Sequence, residues 1–150
     1  MSATQATAAK VEQFCTFYLD KSLFGVEVGR VQEVIRSQEM TAVPLAPSVV
    51  RGLINLRGQI VTALDLRRRL GRPDATDGRA PMNVVVRCDE GAVSLLVDEI
   101  GDVLEVDAAS LEAPPDTLVG RSRELIRGVV QREKGLLLVL DITKTLETTE

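Results

Sequence analysis

With 150 residues, a net charge of −4 and a pI near 5.0, the chain lacks the excess of Lys and Arg that a phosphate-neutralising nucleic-acid surface requires. Histidine is absent, which removes the usual general base and the commonest metal ligand and so excludes Ser-His-Asp triads and His-containing zinc sites. Hydrophobic residues make up 45% but aromatics only 3%, so the core of a globule burying roughly 68–70% of its unfolded surface must be built from Val, Leu, Ile and Ala, a filling that suits small barrels.

Residues 1–12 read as a small, polar, frayed leader with no hydrophobic segment of the secretory type, and no later stretch approaches the ~20 apolar residues of a membrane span. The expectation is a cytoplasmic protein without direct membrane insertion. From Gln13 the pattern alternates. Cys15, Phe17 and Leu19 share one face, Asp20-Lys21-Ser22 reads as a three-residue loop, and Phe24, Val26 and Val28 share the next face, which together describe a β-hairpin. Phe17 and Phe24 are expected to point inward and Phe14 and Tyr18 outward. Cys15 and Cys88 each sit in an apolar run and read as two reduced core thiols.

The hairpin recurs later in the chain. Val84, Val86 and Cys88, a turn at Asp89-Glu90-Gly91, then Val93, Leu95 and Val97 repeat it at a shift of 69, and the correspondence continues through Val31/Ile100, Glu33/Asp102 and Val34/Val103. Further on the shift becomes 76, with identities at Arg51/Arg127, Gly52/Gly128, Leu64/Leu140, Asp65/Asp141 and Leu70/Leu146. An internal duplication follows, each copy supplying about five short strands. The fold class is therefore mainly β: two small five-stranded SH3-like β-barrels packed together, with short helices. The copies span about 13–71 and 82–150 within one domain covering 13–150, the link is 72–81, and strand exchange between copies is allowed.

Asp65 and Asp141 each follow a strand and precede a short helical stretch, so both read as N-caps. Arg67, Arg68 and Arg69 then fall at the end of a one- to two-turn helix that Gly71 closes, and read as a solvated basic face. Gly52 and Gly128 stand inside strands, where glycine marks a bulge, a barrel corner or a close backbone approach. The tip Asn55-Leu56-Arg57-Gly58 differs, because the second copy has Gln131-Arg132-Glu133-Lys134 there. Gly58 supplies a positive φ for the turn, but no turn type requires Arg57. Two readings stand for it: an exposed cation, or a guanidinium held by a carboxylate such as Glu33 at a recognition surface. Val31 and Ile60 read first as core residues that a hairpin edge can expose to a partner. No residue set supports catalysis, and no cofactor or metal is called for.

The segments "VGRVQEVI", "VVRGLINLRGQIVTALDLRRRLG" and "VDEIGDVLEV" together resemble the CheW family of bacterial chemotaxis coupling proteins from about Gln13 to Leu146. The resemblance implies two intertwined SH3-like barrels and a non-enzymatic adaptor joining the cytoplasmic tips of chemoreceptors to the regulatory domain of the histidine kinase CheA, at membrane-associated arrays. It places receptor binding on Val31, Glu33, Arg57 and Ile60, and leaves Gly52, Asn55, Gly58 and Asp65 as motif or structural residues. Thr62-Ala63 departs from the Pro-Val type pair common there, a difference expected to affect strand packing. Two alternatives remain. The isolated regulatory domain of a CheA-like kinase has the same fold, although this chain carries neither a histidine to phosphorylate nor an ATP-binding segment. A small-barrel nucleic-acid-binding module would want a basic groove with stacking aromatics.

Overall fold

A computed structural model describes residues 10–89 and 91–147. Most of the leader, residues 1–9, lies outside the described residues; its end does not, because the first strand begins at Val11. Ten strands follow in two sets of five: β1 (Val11–Leu19), β2 (Ser22–Glu27), β3 (Val31–Ile35), β4 (Val50–Leu56) and β5 (Gln59–Asp65), then β6 (Met82–Cys88), β7 (Gly91–Val97), β8 (Glu99–Asp107), β9 (Ile126–Arg132) and β10 (Gly135–Leu140). Three short helices accompany them, α1 (Leu66–Arg69), α2 (Arg121–Leu125) and α3 (Ile142–Thr145).

The two five-stranded sheets do not coincide with the two sequence copies. One runs β8-β1-β2-β10-β9 and the other β3-β6-β7-β5-β4, so each takes a hairpin from one copy and three strands from the other. The joints are four, two to each hairpin: the parallel pairs β2 with β10 and β5 with β7, and the antiparallel pairs β1 with β8 and β3 with β6. Hydrophobicity explains the exchange, since the hairpin strands are apolar on both faces. Phe17, Leu19, Phe24 and Val26, with Val84, Val86, Leu95 and Val97, fill one core shared between the sheets. Phe14 and Leu23 in one sheet, and Val85 and Leu96 in the other, fill a separate buried cluster on the opposite face of their own sheet. A strand apolar on both faces must be covered on both, and a central place in a curled sheet packed against a second sheet provides that. The expectation that Phe14 points outward is thereby corrected: it lies on the face of β1 opposite Phe17 and Leu19, as alternation requires, and is fully buried because that face is covered by its own apolar cluster. Cys15, where the ladder between β1 and β8 breaks, is half-buried, and Cys88 at the end of β6 is half-buried too, so neither thiol is a core residue. The β1–β2 loop holds two residues rather than three, Leu19 pairing directly with Ser22 and Asp20 taking φ +54°.

Neither sheet closes through a full ladder. Each curls until the chain leaving its outermost strand reaches the opposite edge through one two-bond bridge, Thr41 to Leu53 in one case and Glu112 to Val129 in the other. The duplicated glycines stand at those bridges. A Cβ on Gly52 would lie 2.7 Å from the Thr41 carbonyl oxygen, and one on Gly128 would lie 2.9 Å from that of Glu112. The sharp corner thus needs a residue without a side chain.

Both expected caps form. Asp65 accepts from the Arg68 N–H at 3.2 Å and Asp141 from the Lys144 N–H at 3.1 Å, while Gly71 leaves α1 at φ +78°. The arginine run is not a solvated face. Arg67 is buried: its Nε and Nη2 donate to Asp98 at 3.1 and 2.5 Å, Nη2 also donates to Asp20 at 2.6 Å, and Nη1 donates to the Pro73 carbonyl at 3.0 Å. Arg68 pairs with Asp74 in the link, and Arg69 donates to the carbonyls of Lys144 and Thr145 at the end of α3. One helical turn therefore ties the first copy to the hairpin tip of the other sheet, to the link and to the last helix. Burial pushes the Asp98 carboxyl up, but hydrogen bonds from Arg67 and from the Asp20 N–H, with the charge of Arg67, outweigh it and hold the carboxyl below the ordinary carboxylate range.

Candidate functional site

The tip between β4 and β5 is a two-residue turn in which Arg57 (φ +52°) and Gly58 (φ +89°) both adopt left-handed backbone, as a turn that follows the strand twist demands. Asn55 secures it by accepting the Gly58 N–H at 2.8 Å. Glycine fits position 58 without strain, whereas a long side chain at position 57 costs about 1–2 kcal/mol relative to an ordinary backbone conformation.

That guanidinium pairs with Glu33 on β3. The pair is asymmetric in exposure, 72% for the Arg57 side chain against 20% for Glu33, so the carboxylate is tucked in while most donor edges of the guanidinium face solvent. The hydrogen bond from Arg57 holds the Glu33 carboxyl below its usual range against an opposing effect of desolvation, and the same bond raises the affinity of Arg57 for its proton. Glu33 reaches Arg57 through a fault in the ladder. Between β3 and β6, Val31 pairs with Val86 but Glu33 pairs with Val85, leaving Gln32 as an extra residue. Strict alternation would put positions 31, 33 and 35 on one face. Instead Val31 packs on the shared core while Ile35 packs on the separate cluster that contains Ile54 and Leu56 of β4. The bulge has turned the strand over, and Glu33 goes with Ile35 toward the tip.

Of the four residues that the family resemblance points to, Glu33 and Arg57 therefore meet. Val31 is half-buried against the shared core, as its apolar character predicts, and does not join that contact. Ile60 is not a core residue: it stands beside the tip on β5, opposite Asn55, and is 60% exposed. The second copy cannot build the same pair, because Asp102 corresponds to Glu33 and Glu133 to Arg57, two carboxylates where the first copy has a salt bridge. Sequence reasoning missed Gln32 and two arginines that contact the start of β3 or precede it, Arg87 on β6 and Arg30 in the turn before β3. Nothing in a strand-like run announces a bulge, and nothing local marks Arg30 or Arg87 as its partner.

Between the β3–β6 edge and α3 lies a groove of about 650 Å³ bordered by Arg30, Arg87, Leu64, Val93 and Leu146. Among the described residues no group of three or more His, Cys, Asp or Glu side chains could hold a metal ion, and no helix is long and apolar enough to cross a membrane. All buried side-chain polar atoms among the described residues have hydrogen-bond partners.

Comparison with known proteins gives a consistent result. A family model described as the CheW-like domain matches residues 13–150. A chemotaxis protein CheW of Treponema pallidum is 30% identical over 142 residues, covering 92% of this chain and 84% of its own length. One of Klebsiella aerogenes is 27% identical over 139 residues, covering 93% and 84%. The crystal structure of the scaffolding protein TtCheW from Thermoanaerobacter tengcongensis superposes with a TM-score of 0.81 at 24% identity over 92% of this chain and 89% of that one.

Proposed function

The chain belongs to the CheW-like family, and on that footing we propose that it is a non-enzymatic coupling protein of a chemotaxis-type signalling system, holding a chemoreceptor's cytoplasmic tip and the regulatory domain of a CheA-type histidine kinase in one assembly. The observation that carries the reading is the Glu33–Arg57 pair, built on a strained turn in one copy and replaced by two carboxylates in the other. A duplicated scaffold with one modified tip offers two dissimilar surfaces, which is what a bridge between two partners needs. Arg57, anchored by Glu33 and open on its other donor edges, would take an acidic or carbonyl-rich site on the receptor tip. Ile60 would add apolar area beside it. Contacts of this transient kind are modest in area, and an array gains its strength from multivalency. The protein would then work in the cytoplasm, recruited to the receptors rather than inserted in the bilayer.

The nucleic-acid alternative loses its stacking platform, since Phe14, Phe17 and Phe24 are buried and Tyr18 is half-buried. The test of the proposal is reconstitution of a receptor fragment and kinase with and without this protein, using Arg57→Asn as the variant. Asn accepts left-handed backbone more easily than Arg, so folding is preserved while the guanidinium is lost. The expected result is receptor control of kinase activity only when the unmodified protein is present, with control weakened by Arg57→Asn. Full coupling by the variant would remove the tip from the mechanism, and receptor control without the protein would remove the adaptor reading altogether.

A further inference from the structure

The bulge that turns Glu33 toward Arg57 is held from outside its own copy. Where the ladder slips, the carbonyl of Val31 accepts from Arg87 Nη1 at 3.0 Å, and the same nitrogen donates to the carbonyl of Gly29 at 3.1 Å. Arg30, lying between those two residues, returns the interaction by donating through Nε and Nη2 to the Arg87 carbonyl at 3.4 and 3.2 Å. Two guanidinium groups thus lace the 3-10 turn Val28–Arg30 and the first residue of β3 to the end of β6. Among the described residues neither arginine forms a salt bridge, so their donors are committed to backbone. The second copy has the corresponding fault, with four residues from Ile100 to Val103 opposing three from Cys15 to Phe17, but there the Thr16 hydroxyl donates to the Asp102 carbonyl and Gly101 makes room for it. The first copy has Val85 at the place of Thr16 and cannot use that device.

We infer that Arg87 is a positioning residue for the recognition pair: by gripping the carbonyls on both sides of Arg30 it keeps Gln32 bulged and Glu33 aimed at Arg57. This rests on the proposed receptor role of that pair, but the positioning itself is a property of the free protein. A slipped strand left unpinned can restore regular alternation, which would send Glu33 to the other face and release Arg57 into solvent. Arg87 touches neither partner in this scheme and acts only through the bulge.

The experiment measures two quantities on Arg87→Met and Arg87→Lys. The first is the titration of the Glu33 side-chain carboxyl, followed by carbon NMR in the free protein. The second is affinity for a soluble receptor cytoplasmic fragment. Arg87→Met is expected to move the Glu33 titration upward, toward an ordinary carboxyl, and to weaken receptor binding roughly five- to tenfold, the scale of losing one oriented charge contact at an interface rim. Arg87→Lys, which retains one donor for the carbonyls, recovers part of both effects. A Glu33 titration unchanged in Arg87→Met overturns the positioning role. A shifted titration with unchanged affinity upholds the positioning role and overturns the receptor assignment of the pair. If Arg87→Met does not fold, Arg87→Gln, whose shorter side chain cannot bridge the carbonyls of Gly29 and Val31, is read by the same titration, an unshifted Glu33 again counting against the inference.

Discussion

Replacing Arg67 by Met keeps most of the aliphatic volume and deletes a guanidinium that joins three parts of the molecule. Its side chain is 9% exposed, whereas its acidic partners Asp98 and Asp20 are 21% and 58% exposed. Breaking a fully buried ion pair costs about 3–5 kcal/mol, and an exposed pair is worth about 0–1 kcal/mol. Asp20 regains water freely and Asp98 only in part, so the expected loss lies between these limits, at about 2–3 kcal/mol. For a domain of this size that corresponds to a fall in Tm of roughly 4–12 °C. Equilibrium urea unfolding measures it directly, and the cycle with Asp98→Asn isolates the coupling between the two side chains. A pH signature accompanies the loss. The carboxyl of Asp98 is lowered in the fold, so its contribution is fully present above the unfolded value of about 3.9 and disappears as pH falls through the lower folded value. Without Arg67 burial is opposed only by the Asp20 N–H and the charge of Arg79, so the carboxyl moves up and this part of the acid loss should shrink. A destabilisation under about 0.5 kcal/mol with an unaltered acid slope would show that the arginine is a surface ornament, as its sequence context suggests.

Two further outcomes follow from the topology. Gly52→Ala places a methyl group within 2.7 Å of the Thr41 carbonyl oxygen and should cost about 1–3 kcal/mol in urea unfolding by forcing the bridge open, and a neutral result would mean the corner has slack. Residues 1–76 and 77–150 expressed apart should each lack a cooperative melt, since each sheet needs strands from both, and mixing them should restore one; a sharp transition in either fragment alone would contradict the exchanged sheets.

The duplication, the ten strands, both Asp caps and the duplicated glycines were legible in the sequence because each depends on local pattern: period-two alternation, an acid before a helical turn, a glycine where no side chain fits. The Glu33–Arg57 pair was legible as a candidate because the tip broke the repeat. Three features were decided only in three dimensions. Which copy's hairpin joins which copy's remaining strands is a matter of pairing energies between distant segments, and both arrangements satisfy the same alternation. The fate of Arg67, adjacent in sequence to exposed-looking cations, depends on Asp20 and Asp98, which only the packing of one sheet on the other brings within reach. The bulge at Gln32 reverses the faces of β3, and no local signal carries it because its support, Arg87, lies more than fifty residues away on the other copy. Local patterning determines what each segment can become; the sharing of one apolar core by two sheets determines which distant charges must meet at its rim.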